Sequence, residues 1–348
     1  MDIVLEIWDT FLADHVFAKV FPAQAKPFDI IDGVLSNHTI AQASLPWQYT
    51  PATEYWTLEP PEAAYLTSVP RDNIWRQLAS LYTITVVFGF LLYFIFASLS
   101  YWLIFDKQTL KHPKFLKNQM SLEMKQAVTS MPGMAVLTAP MFLLEVKGYC
   151  KFYERTEDGP GRWYDYAQFP FFILFTDICI YWVHRGLHHP LIYKRLHKPH
   201  HKWIMPTPFA SHAFHPVDGF AQSFPYHIFP LLFPLHKFAF LGLFIFVNIW
   251  SILIHDGEYL ANNPIINGSA CHTAHHLYFN YNYGQYTTIW DRLGGSYRKP
   301  DEAWFDKDTK MAKKTWEAGV KEMERIQHEV EGDDDRSYSM NGADKKTK

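Results

Sequence analysis

The sequence predicts an all-α integral membrane protein. About five transmembrane crossings, two of them a Pro-broken hairpin, are capped on the cytosolic side by a helical, histidine-rich di-metal domain. Three observations carry this. Residues 78–105 run for 28 positions without a charge. Further apolar stretches follow at 127–144, 166–183 and 219–254. Fourteen of the 18 histidines fall between 184 and 276, mostly in triplets at helical spacing.

Residues 1–77 form an N-terminal, mostly lumenal region. Its opening, MDIVLEIWDTFLADHVF, carries acids where a secretory leader carries basic residues, so it is not read as a cleaved leader. The run 78–105 is ample for a tilted crossing of a hydrocarbon layer of ~30 Å. Loop 106–126 has five Lys against two acids, whereas the first 76 residues have ten acids against four Lys/Arg. The positive-inside rule then places the loop in the cytosol. Stretches 127–144, interrupted by Pro132 and Pro140, and 166–183, carrying Asp177, complete a transmembrane block 78–183 and return the chain to the cytosolic face at residue 184.

The stretch 219–254 is long enough to go across and back. Pro225, Pro230 and Pro234, followed by the polar pair His236-Lys237, read as a Pro-kinked helix, a turn and a second helix. Residues 184–300 are therefore one cytosolic region interrupted by the membrane hairpin 219–254. On this topology the sequon Asn37-His38-Thr39 is lumenal and open to a glycan, and Asn267-Gly268-Ser269 is cytosolic. The charged tail 301–348 is expected as a solvated amphipathic helix near 308–331 with a frayed acidic end. Its terminal Lys345-Lys346-Thr347-Lys348 resembles a dilysine signal for retrieval to the endoplasmic reticulum.

Composition narrows the function. A net charge of -3 argues against a nucleic-acid partner. Cys150, Cys179 and Cys271 are too scattered for a disulfide framework or a thiolate zinc site, so a metal here would be held by nitrogen or oxygen. No G-x-G-x-x-G nicotinamide fingerprint is present.

The histidines are clustered with a purpose. His184 and His188 are four apart with His189 adjacent; His197, His200 and His201 form H-x-x-H-H, and His272, His275 and His276 repeat it. Positions i, i+3 and i+4 share a helix face, so each triplet aims its rings at one point. Packed without a metal, such rings repel when charged and are unsatisfied when neutral. With His255 added, there are more imidazoles than one metal needs, which points to two ions; imidazole suits iron, copper and zinc alike. Asp218, Asp256 and Glu258 are placed to accept N–H bonds from ligand rings.

The segments HRGLHH (184–189), HKPHH (197–201) and HTAHH (272–276) resemble the three histidine boxes of the fatty acid hydroxylase/sterol desaturase superfamily of membrane di-iron oxidases. Longer text, including SHAFHPVDGF, HDGEYL and INGSACHTAHHLYFNYNYGQYTTIWDRLGGSYRKP, is similar to its fungal sterol C-5 desaturases over about 163–300. The resemblance implies metal ligands at His184 with His188 or His189, the latter favoured by the box spacing of related hydroxylases. It further implies His197, His200, His201, His255, His272, His275 and His276. His212, His215 and Thr273 would lie around the metals or at the substrate mouth. No catalytic residue beyond the ligands is implied.

The same resemblance implies two iron ions, O2 as co-substrate, and electrons from NAD(P)H through cytochrome b5 and its reductase. The substrate would be a delta-7 sterol entering from the bilayer, and the product a 5,7-diene on the route to ergosterol. Lys194, Arg195, Lys198 and Lys202 are docking points for acidic cytochrome b5 or simply positive-inside residues. Rival readings are a sterol C-4 methyl oxidase or lipid hydroxylase, a histidine-rich metal transporter, and an inactive sterol-binding protein. Transport predicts ligands within the membrane segments, and an inactive protein predicts broken boxes. Because imidazole binds metal when neutral, activity is expected to fall as pH drops toward ~6.

Overall fold

The computed structural model describes residues 1–23, 47–259, 263–310 and 312–338; Asn37 and the terminal lysines lie outside the described residues. Helices α1 (Asp2–Trp8) and α2 (Asp14–Val20) are joined by a π-helical turn over Asp9–Ala13. Asp9 of this turn and Asp14 at the start of α2 face Arg76, with Nη2 to carboxylate distances of 3.1 and 2.5 Å.

Helix α3 (Ile74–Leu103) starts at Asn73, whose side chain accepts the Trp75 and Arg76 N–H groups, as an N-cap should. It turns Phe88, Leu91, Ile95 and Leu99 outward and buries Tyr93, Ala97 and Ser100. Helices α4 (Gln119–Val146) and α5 (Arg162–Leu187) follow, and among the described residues these three are long and apolar enough to cross a membrane. Pro132 and Pro140 do not interrupt α4: one helix runs through both. Each proline removes a single N–H, and packed apolar surroundings tolerate that loss inside a helix.

Helices α6 (Pro190–Leu196) and α7 (Lys198–His201) are short. The expected pair of helices joined by a turn is present as α8 (Pro216–Leu232) and α9 (Lys237–Leu253). At 17 residues each helix is about 26 Å long. The chain between them includes Leu235-His236, which pairs in parallel with Phe152-Tyr153. Three further helices, α10 (Ser269–Tyr278), α11 (Ile289–Leu293) and α12 (Lys307–Lys310), precede α13 (Lys313–Glu331).

The long helices alternate in direction, so their connections gather at two ends. At one end the Asp106 N–H bonds the Asp256 carbonyl at 3.3 Å, and Leu116 bridges to Tyr338. At the other, the Lys151 N–H bonds the Pro230 carbonyl at 2.7 Å. Between them lies an apolar core that includes Leu81, Ile84, Phe142, Phe172, Phe229 and Phe240. Helix α4 meets the start of α8 so closely that a Cβ on Gly133 would stand 2.8 Å from the Pro216 ring.

The tail departs from expectation. Helix α13 is not solvated all round: Met323 and Ile326 are buried with Tyr193, Ile204, Ala274, Leu277 and Phe279. The Arg298 guanidinium adds a bidentate pair with Glu322, both bonds 2.9 Å. An amphipathic stripe is legible in sequence; the surface that receives it is not.

Candidate metal centre

Four separate stretches bring imidazoles to one end of the helix bundle. The last turn of α5 places His184, and His188 follows one turn later as its C-cap. His197 precedes α7, which carries His200 and His201. His255 lies just past the end of α9, and α10 contributes His272, His275 and His276. The rings form two groups whose candidate ligand atoms all lie within 4.8 Å of one another: His184, His188, His197, His201 and His275, and His200, His255, His272 and His276.

The hydrogen bonds show what these groups lack. His184 Nδ1 lies 2.9 Å from the Tyr283 carbonyl and His197 Nδ1 2.8 Å from Asp218, while the two Nε2 atoms face each other at 3.1 Å. A neutral imidazole has one donor and one acceptor nitrogen. Both Nδ1 atoms face oxygens and donate, so two lone pairs confront each other. The second group shows the same feature: His255 Nδ1 donates to the Ser251 carbonyl at 2.6 Å, and its Nε2 faces His272 Nε2 at 2.9 Å. His275 Nδ1 donates to the Tyr281 carbonyl at 2.7 Å, with its Nε2 2.9 Å from His201 Nε2.

A cation between the nitrogens resolves this. Ligands at right angles around a metal about 2.0–2.1 Å away would stand about 3 Å apart, which is the spacing found. The donor set therefore fits two transition-metal ions held by nitrogen. Burial favours the neutral, metal-binding form of several of these rings. It drives His275 down to about 3 and His255 to about 4, and holds His200, His201, His272 and His276 well below the ordinary imidazole value, with neighbouring rings adding to the effect.

The supports are as specific as the rings. Asp177 in α5 accepts the N–H groups of Gln285, Tyr286 and Thr287 at 2.8–3.1 Å. Asp291 accepts those of Tyr283 and Gly284, both at 2.8 Å. Together they fix the loop whose Tyr281 and Tyr283 carbonyls orient His275 and His184. A polar stripe on α4 holds the 199–214 segment: Gln119 donates to the Met205 carbonyl, Gln126 to the Pro199 and Ala213 carbonyls, and Ser130 to the Phe214 carbonyl. Sequence reasoning missed this stripe. Its signal was polar residues at helical spacing, 119, 123, 126 and 130, leading into an apolar helix.

Beside the four-histidine group lies a cavity of about 390 Å³ bounded by α3, α4, α8 and α9. Its wall is mainly apolar, with Phe88, Met131, Ala135, Phe142 and Phe244 among the lining residues. Near the metal end it includes Phe214, which stacks on His200 with centroids 4.3 Å apart, and Ser251, which holds His255. This volume suits a small organic ligand.

The other expected site residues divide between the surroundings of the rings and places apart from them. His189, favoured by spacing as the partner of His184, is exposed and caps α6, its Nδ1 accepting the Leu191 N–H; His188 stands in the ring cluster instead. The reason is that α5 ends at Leu187, so His189 already lies in the turn. His212 lines the cavity, its Nε2 3.2 Å from Asn248 Oδ1. His215 caps α8 and joins neither group. Asp218 does hold a ligand ring, but the Asp256 carboxylate takes the Glu258 N–H at 2.8 Å and, buried, is pushed up to about 7. Thr273 is not among the residues lining the large cavity; it lines a small pocket with His112, Tyr259 and Trp304.

A bundle of apolar helices that ends in paired clusters of buried imidazoles defines a class of membrane metalloprotein, and the sequence profile of the fatty acid hydroxylase family matches residues 169–296. A Neurospora crassa protein named "Probable Delta(7)-sterol 5(6)-desaturase" is 60% identical over 338 residues, 97% of each chain. The Delta(7)-sterol 5(6)-desaturase of Leptosphaeria maculans is 58% identical across 99% of each chain. That of Candida albicans is 49% identical, covering 97% of this chain and 99% of its own. The chain belongs to the fatty acid hydroxylase family, in the branch of these fungal Delta(7)-sterol 5(6)-desaturases. No solved structure matches it.

Proposed function

We propose that this protein is an oxidoreductase that introduces the C5–C6 double bond into a delta-7 sterol during ergosterol biosynthesis. The observation that carries the reading is the pair of imidazole groups, one of them beside an apolar cavity, in a chain 60% identical to a named sterol desaturase. The sterol loses two hydrogens, and O2 takes these with two further electrons and two protons to give two water molecules.

His184, His188, His197, His201 and His275 would hold one iron ion and His200, His255, His272 and His276 the other. Bound there, the irons supply the oxidising power drawn from O2. The chain's own part is to present neutral Nε2 atoms, to lock the tautomers of His184, His197, His255 and His275 through carbonyls and Asp218, and to exclude water from the apolar cavity. Histidine rings as the only ligands leave the site more positive than carboxylates would.

The topology consistent with this role has five crossings, α3, α4, α5 and the hairpin α8–α9. The segment before residue 78 is then lumenal, 184–300 forms the cytosolic catalytic region, and the tail shares its side. The protein would reside in the endoplasmic reticulum membrane. Electrons would come from NAD(P)H through cytochrome b5 and its reductase, docking near Lys194, Lys198 and Lys202. Transport fits less well, since the rings cluster at one end of the bundle rather than along it.

The test is the sterol profile of cells lacking this chain. Accumulation of a delta-7 sterol with loss of the conjugated-diene ultraviolet absorption, restored by the wild-type gene, is the expected result. An unchanged diene level would refute the assignment.

A further inference from the structure

The segment after residue 300 does more than cover a hydrophobic face. Arg336 is buried to 2% side-chain exposure, beside Glu331 at 1%. Its guanidinium makes two bonds to that carboxylate, 2.8 and 3.2 Å, and donates to the carbonyls of His201 and Lys202 at 3.1 and 3.2 Å. Glu331 also accepts the Tyr193 hydroxyl at 2.8 Å.

The two carbonyls belong to the C-terminal end of α7, where a helix leaves its last C=O groups without internal partners. With four residues, α7 has no stability of its own. Yet His201 serves the five-histidine group and His200 the four-histidine group. Whatever fixes the end of α7 therefore acts on both. A planar guanidinium with five donors meets the carboxylate edge and both neighbouring carbonyls at once; a lysine ammonium offers the charge without that fixed geometry.

We propose that Arg336, with Glu331 and Tyr193, is a positioning clamp for the metal centre, fixing the carbonyl end of α7 so that His200 and His201 are held ready for both ions. The clamp rests on the reading of the two groups as metal sites.

The experiment is titration of full-length, detergent-purified, metal-free protein with Co²⁺, reading the visible spectrum and the bound metal per chain. Arg336→Lys and Arg336→Ala are expected to weaken uptake about tenfold or more, in line with other losses of outer support to metal ligands. Tyr193→Phe, which keeps the ring and its packing, weakens it less while leaving apo thermal unfolding unchanged. Arg325→Ala, which removes an exposed pair with Glu329 on the same helix, changes nothing. Wild-type affinity and spectrum in both Arg336→Lys and Tyr193→Phe would overturn the clamp, and these two variants decide if Arg336→Ala fails to accumulate. A wild-type protein that takes up no cobalt would instead sink the metal reading itself.

Discussion

At the scale of single residues, nine of the ten histidines expected as ligands converge, and the odd one is informative. Spacing cannot reveal where α5 stops; a helix ending at Leu187 keeps His188 on the face of His184 and throws His189 into solvent. His188→Ala is expected to lose metal and diene formation, whereas His189→Asn, which preserves a capping side chain, retains both; metal analysis of the two purified variants checks this. The backbone acceptors at Ser251, Tyr281 and Tyr283 were invisible in sequence because a carbonyl has no residue type. Acid tolerance is also set here. His255 at about 4 and His275 at about 3 lie below the unfolded value near 6.5, so between those limits the unfolded chain binds more protons. Stability is then full above pH ~6.5 and drains as pH falls toward ~4. With burial holding His255 and His275 below the ordinary imidazole value, loss of metal from these two rings is expected at a lower pH than from isolated imidazole. Metal content after equilibration across a pH series should hold at pH ~6 and fall below ~5; release already at pH ~6 would contradict it.

Among elements, the hairpin was legible almost to its turn because Pro234 and His236-Lys237 break an otherwise apolar text, while Pro225 and Pro230 lie inside α8. Helix α4 was harder to read, since Pro132 and Pro140 suggest breaks that packing overrides. Helix α13 was legible as a helix but not as a packed one, because amphipathicity does not say what lies opposite. The contact of α4 with α8 matters for the centre: Gly133 meets Pro216, two residues before the Asp218 that orients His197. The Pro216 ring cannot swing aside as a flexible side chain would. Gly133→Ala is therefore expected to cost about 1–3 kcal/mol through overpacking. A lowered unfolding temperature in detergent is the measurement, and an unchanged one would mean that the helices separate freely.

For the whole molecule, the sequence shows the bundle, the histidine boxes and their common side, while the cavity emerges only when α3, α4, α8 and α9 are brought together. Ala135 is buried on its wall. Ala135→Phe should fill part of the cavity and raise KM for the sterol while metal content stays at the wild-type level, which separates substrate space from metal support. Unaltered kinetics would place the substrate elsewhere. The interleaving of the two groups also dictates the order of biogenesis. One group draws on residues from 184 to 275 and the other on residues from 200 to 276, so neither is complete until α10 has been synthesised. Metal loading is consequently expected to be a late event in the making of the chain, since one cut short before residue 272 would keep four imidazoles of the first group and only two of the second.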